Sequence, residues 1–312
     1  MFAMPRLRLL GALLIGSALA ALVALVGFSP AAQANHSWGG YHWARTANPF
    51  TLALGDNVSD AWDSYLRAAS GPAQPYPADP SPTFTSTNDW SDSSVMDTTV
   101  VPGDDLADPK KCSAQSGRVE VCNAKYGNNG WLGLAQIWVS GKHIVKGTTK
   151  MNDTYFNTAK YNKPAWRHLV MCQEVGRTFG LAHQDENFSN TNLGTCMDYT
   201  NDPSGASGTN GTLSNEQPNQ GDYDELLCVY DPASNGVTLS TTTHSCTGSG
   251  HLDSTTTVGS ANATSPLPPG ASQGAFNSQA DWGRKIRDSG KLELWVRTFG
   301  GGARVVTWVI RP

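Results

Sequence analysis

Cys172-Gln173-Glu174-Val175-Gly176-Arg177-Thr178-Phe179-Gly180-Leu181-Ala182-His183-Gln184 is the stretch on which the reading of this chain turns. Leu169, Cys172, Val175 and Phe179 recur at helical spacing, and Pro164 stands where a first helical turn tolerates proline. The spacing therefore predicts a helix from about Pro164 to Gly180. On it Gln173 and Arg177 lie one turn apart on a single face, and Glu174 and Arg177, three apart, can pair. Gly180 ends the helix and lets the chain reverse, which returns His183 toward the same face. His168 falls about 140° round the helix from Gln173 and is expected to be a surface or packing residue.

The same stretch has the outline H-E-x-x-H-x-x-G-x-x-H, with Gln173 and Arg177 at the first two histidine positions and with Glu174 and His183 in place. In that pattern the histidines hold Zn²⁺ and the glutamate acts as general base on the metal-bound water. Downstream, Thr195-Cys196-Met197-Asp198-Tyr199 looks like the Met-turn that lies beneath the zinc in metzincins. With Tyr41-His42-Trp43-Ala44-Arg45 and Gly130-Trp131-Leu132-Gly133-Leu134-Ala135-Gln136-Ile137-Trp138, these residues carry a family likeness. The chain resembles the secreted, actinobacterial-type metzincin-like zinc metallopeptidases, whose helix reads close to C-Q-E-x-G-H-x-F-G-L-x-H-Q and whose Met-turn reads C-M-D-Y. The likeness runs from about Tyr41 to about Leu227. It implies an α+β fold, a twisted mixed sheet with an active-site helix and a Met-turn, here followed by a small C-terminal β appendage. It also implies zinc as cofactor, with Glu174 as general base and His183 and Gln173 beside the metal. Met197 would be structural, and Tyr199 either an oxyanion-stabilising group or a core tyrosine.

The two replaced positions decide how much of that chemistry can survive. A Gln carbonyl oxygen is neutral and a weaker zinc ligand than imidazole, and a guanidinium has no lone pair to give and keeps its charge. Arg177 thus puts a cation where the metal belongs and leaves His183 as the sole strong ligand, too few for a catalytic zinc. The expected arrangement has the guanidinium partly replacing the metal charge, with Glu174 ion-paired to it. Asp185 is a conceivable substitute ligand, whereas His36, His42, His143, His244 and His251 are expected to be ordinary surface histidines. Two functions follow: a zinc endopeptidase with impaired ligands, or a pseudopeptidase that binds a peptide or protein along the edge strand near Trp131 to Val139 without cutting. An envelope or matrix component with the domain as a stable body is a third class.

Residues 1–34 carry Arg6 and Arg8, an apolar run from Leu9 to Phe28 and Ala32-Gln33-Ala34, the layout of a secretory signal peptide, although the run is long enough to anchor if left uncleaved. The formal net charge of −4 and the scattered Lys and Arg give no basic stripe for nucleic acid, and no other stretch suits a membrane. A secreted monomer is expected. An even count of six cysteines in an exported chain reads as three disulfides. Pairing of sequence neighbours, Cys112 with Cys122, Cys172 with Cys196 and Cys228 with Cys246, is the most natural of the possible connectivities. The middle bond would tie the motif helix to the Met-turn.

Domain boundaries follow composition. Residues 35–230 form the peptidase-like domain, with a Pro/Ser/Thr-rich insertion at about 71–88. Residues 231–270 read as a Ser/Thr/Gly/Pro-rich linker holding a disulfide loop, and 271–312 as a terminal segment whose Leu292–Arg297 and Arg304–Ile310 make a β-hairpin that docks on the main domain. Earlier strands are expected at Thr51–Leu54, Gly117–Cys122 and Trp131–Met151, the last turning at Ser140-Gly141. Helices are expected around Trp62, Tyr65 and Leu66 and from Tyr223 to Tyr230.

Overall fold

A computed structural model describes residues 36–71, 88–231, 238–239, 244–245, 267–272 and 276–312. Residues 1–35, where the signal peptide is expected, the core of the insertion, most of the linker and Cys246 lie outside the described residues. In chain order the elements are β1 (His42–Trp43), β2 (Phe50–Asn57), α1 (Asp60–Ser70), β3 (Met96–Pro102), β4 (Arg118–Ala124), β5 (Gly133–Ser140) and β6 (His143–Asn152). There follow α2 (Asp153–Phe156), α3 (Pro164–Arg177), α4 (Gln220–Tyr230), β7 (Thr238–Leu239), β8 (His244–Ser245), α5 (Pro269–Ser272), β9 (Arg284–Asp288), β10 (Leu292–Thr298) and β11 (Ala303–Ile310).

The fold is mixed α+β around one large sheet in the order β3-β2-β4-β6-β5-β11-β10-β9, with β1 pairing on β6. From β3 to β6 the strands are parallel, and from β6 outward every pair is antiparallel. The β5–β6 hairpin is therefore where the sheet changes character, and Gly141, at φ 63°, makes its turn. The C-terminal hairpin does not dock as a separate body. β11 pairs with β5 over its full length, from Ala303 opposite Ser140 to Ile310 opposite Gly133, and β10 and β9 extend the same sheet.

Every residue of β5 is buried. Successive side chains point to opposite faces, and both faces are covered. Ala135, Ile137 and Val139 join the main core, with Val306 and Trp308 of β11 and Leu169, Val170 and Val175 of α3. Leu134 and Trp138 join a second core with Trp131, Phe276, Trp282, Val305 and Val309. Full burial of each large side chain contributes roughly 1.5–3 kcal/mol, so the C-terminal strands complete a core rather than decorate one.

Helix α3 is the other consequence of this layering. It lies between the sheet and α1, and Arg167 through Arg177 are all buried. A helix enclosed on all sides carries its polar residues into the interior, where each needs a partner or pays desolvation. Two disulfides brace the described residues, Cys112–Cys122 and Cys172–Cys196, the latter with Cα atoms 5.9 Å apart. No helix among the described residues is long and apolar enough to cross a membrane.

Candidate functional site around Arg177 and His183

Gly180 performs the reversal that the sequence requires. Its φ of +96° belongs to glycine, and a Cβ there would sit 2.1 Å from the Tyr41 carbonyl oxygen. The chain then runs beside the Thr195–Tyr199 turn, with the Gln184 amide donating to Met197 O at 2.7 Å and the Tyr199 amide to Asp185 O at 3.2 Å. This ladder delivers His183 to Arg177. The turn itself is pressed against α3 at Gly176, where a Cβ would meet Trp90 at 2.5 Å and Met197 Sδ at 3.0 Å. Met197 is thus a packing residue, held under the helix also by the neighbouring disulfide.

Arg177 is buried and donates from Nη2 to Nε2 of His183, with a longer bond from Nη1 to Leu181 O at 3.4 Å. Its guanidinium lies 5.9 Å from the centre of the Trp308 ring. A guanidinium only donates, so Nε2 of His183 must present its lone pair and the ring proton resides on Nδ1. Nδ1 faces Glu186 Oε1 at 3.6 Å, and Glu186 is in turn held by Arg287 at 2.8 Å. Burial, and then the Arg177 charge, hold the His183 imidazolium well below the usual range, so the ring is neutral.

The expected Glu174–Arg177 ion pair is not formed. Both carboxyl oxygens of Glu174 are buried without a hydrogen-bond partner among the described residues, and the hydrogen bonds of Arg177 go to His183 and Leu181. Burial pushes the Glu174 carboxyl up to about 8, with Arg177 offsetting part of that rise through space. Gly133 of β5 makes the space, since a Cβ there would be 2.8 Å from Glu174 Oε1. A carboxyl protonated through neutral pH and enclosed by a strand is poorly placed to act as a base.

Gln173 is tied to the turn at Thr195–Tyr199 through its amide nitrogen. Its Nε2 donates to Cys196 O at 2.7 Å, and its buried Oε1 accepts no hydrogen bond among the described residues. Tyr199 packs its ring on His183 at 3.9 Å and stacks on Phe188 at 4.5 Å. Its hydroxyl is also buried without a hydrogen-bond partner among the described residues. Burial raises that phenol well above its ordinary range.

These residues do not fit Zn²⁺. The lone pair that His183 would offer a metal is engaged by a cation, and no group of three or more His, Cys, Asp or Glu among the described residues is arranged to hold one. Asp185 accepts from the Asn187 amide at 2.6 Å and from Asn190, shaping its own loop. His36 and His42, expected at the surface, are buried. His36 lies 3.1 Å from Asp222 on α4, and His42 meets His143 edge-on at 4.9 Å, because the N-terminal segment is covered by elements far along the chain. His168 packs on Tyr65 at 4.6 Å. The side chains of His244 and His251 lie outside the described residues.

The edge strand expected near Trp131 to Val139 is not an edge, since β11 occupies the position. Beside α3 there is a small pocket whose lining includes Trp166, Gln173, Phe188, Tyr199, Lys291 and Arg311. Glu186, Arg287, Trp308, Lys291 and Arg311 carried no motif signal. Four of these, Arg287, Lys291, Trp308 and Arg311, lie on or beside the C-terminal strands, and only the sheet order brings them here. No family model, no curated protein and no solved structure matches the chain.

Proposed function

We propose that this chain is a secreted pseudopeptidase: a relative of zinc peptidases by descent that does not hydrolyse peptides and uses the remaining cleft to hold a peptide or protein ligand. The observation that carries the reading is the Arg177–His183 contact, in which a permanent cation consumes the one imidazole lone pair at the site. The protonated, enclosed Glu174 and the strand pairing across β5 support it from the sides of the base and of the substrate. Peptidases that pair a substrate with a sheet edge need that edge free, and here it is filled by the chain itself. Ligand binding would then fall to the pocket beside Gln173, where Phe188 and Trp166 offer apolar surface and Lys291 and Arg311 favour an anionic neighbour.

Elemental analysis of the purified mature protein, paired with casein hydrolysis in the presence and absence of chelator, tests this. The expected result is well under one zinc per chain and no chelator-sensitive cleavage. Stoichiometric zinc that His183→Ala removes, or hydrolysis that Glu174→Ala abolishes, overturns it.

A further inference from the structure

On the sheet face opposite α3, Lys150 of β6 is completely buried. Its Nζ touches Oδ1 of Asn277 and lies 3.4 Å from Oε1 of Gln136. The segment bearing Asn277 is fixed on that face. Gln136 Nε2 donates to Phe276 O at 3.1 Å and to Thr307 Oγ1 at 3.0 Å, and Trp282 Nε1 donates to the same Phe276 carbonyl at 2.7 Å. Phe276 is held at φ +45°, a left-handed conformation that costs a non-glycine residue and persists only where its surroundings enforce it. Asn277 Nδ2 points outward to Lys110 O at 3.3 Å. The cradle is apolar, with Leu134, Trp138, Phe276 and Trp282 in one cluster.

We infer that Lys150 and Asn277 join through an intramolecular isopeptide bond, the lysine amine displacing the side-chain nitrogen of Asn277 as ammonia. An amine in contact with an amide oxygen sits roughly 3–3.5 Å from the amide carbon, the separation of a near-attack pair. The Nζ lone pair adds to Cγ of Asn277, the Cγ–Nδ2 bond breaks, and a proton leaving Nζ departs with Nδ2 as NH₃. Atoms and charge balance without any oxidant or cofactor. Burial pushes Lys150 down to about 7, so a large share of it is neutral, nucleophilic amine at neutral pH. The proton passes from Nζ to the departing Nδ2, and the outward-facing Nδ2 gives the ammonia an exit. Replacing a buried ammonium with an amide also removes the desolvation cost of the charge. The bond spans 127 positions in sequence and fastens the C-terminal segment to the centre of the sheet.

Mass spectrometry of the whole mature protein, reduced and alkylated, decides the matter. The expected intact mass is about 17 Da below that of the sequence, the loss of one ammonia, with a branched peptide linking Lys150 to Asn277 after digestion. Lys150→Arg and Asn277→Ala should each restore the full mass and lower the melting temperature. A full mass for the unaltered chain overturns the inference, as does a deficit that maps elsewhere, such as to cyclisation at the amino terminus. Because the unaltered protein is decisive by itself, a variant that fails to fold leaves the test intact.

Discussion

Two buried cations lie on opposite faces of the same sheet, and they meet burial in different ways. Arg177, on the α3 face, cannot shed its proton, so it stays a charge and takes the lone pair of a neutral His183. Lys150, on the other face, is pushed down to about 7 and rests on neutral amide oxygens. On the proposed reading, the first cation blocks chemistry by occupying a ligand position. The second is made reactive by the same desolvation. Burial therefore predicts nothing about function until the chemistry of the buried group is specified.

The C-terminal strands cover both sites, Arg177 through Trp308 and Lys150 through Asn277 and the Phe276–Trp282 cluster, so removing them breaks the comparison most severely. A chain ending before Leu267 should lose cooperative unfolding, because β5 would expose apolar residues on one face and an unpaired edge, a loss well above 4 kcal/mol. Soluble expression with a sigmoidal melt would show that the two cores are independent.

Glu174→Gln isolates the α3 face. The carboxyl rises from 4.5 to about 8 on folding, so between those pH values the folded chain keeps a proton that the unfolded chain releases. Stability is therefore lost as pH rises through that window, and the glutamine variant should abolish the loss, gaining up to about 4 kcal/mol at the alkaline end. His183 acts with the opposite sign, its depressed pKa costing stability as pH falls below 6.5. Urea unfolding from pH 5 to 9 separates the two, and parallel curves for variant and parent would mean that Glu174 is not desolvated.

Replacing Cys172 and Cys196 with serine opens a loop of 24 residues, which should cost about 3 kcal/mol and several degrees of melting temperature. The effect belongs to the α3 face, where the bond pins the Met197 turn; an unchanged melt would mean that the Gln173 bond to Cys196 O holds the turn alone. The smallest effect is expected of Tyr199→Phe. Its hydroxyl accepts and donates nothing among the described residues, so removal should be neutral or stabilising by about 1 kcal/mol or less. A loss of more than that would reveal a partner for the hydroxyl.

Local spacing by itself determined the motif helix, the glycine that reverses the chain, the hairpins and the neighbour pairing of Cys112 with Cys122 and Cys172 with Cys196. These depend on periodicity, turn chemistry and short loops, all of which are written within a few residues of where they act. It also placed Gln173, Arg177 and His183 near one another. It did not determine which of Glu174 and His183 Arg177 would choose, since both are within reach of the side chain and the choice rests on the space that Gly133 of a distant strand gives the carboxylate. Nor did it reveal that β11 closes the edge of β5 or that Asn277 covers Lys150. Those contacts follow from which apolar faces could be buried together once the whole sheet had formed, a condition that no single segment states.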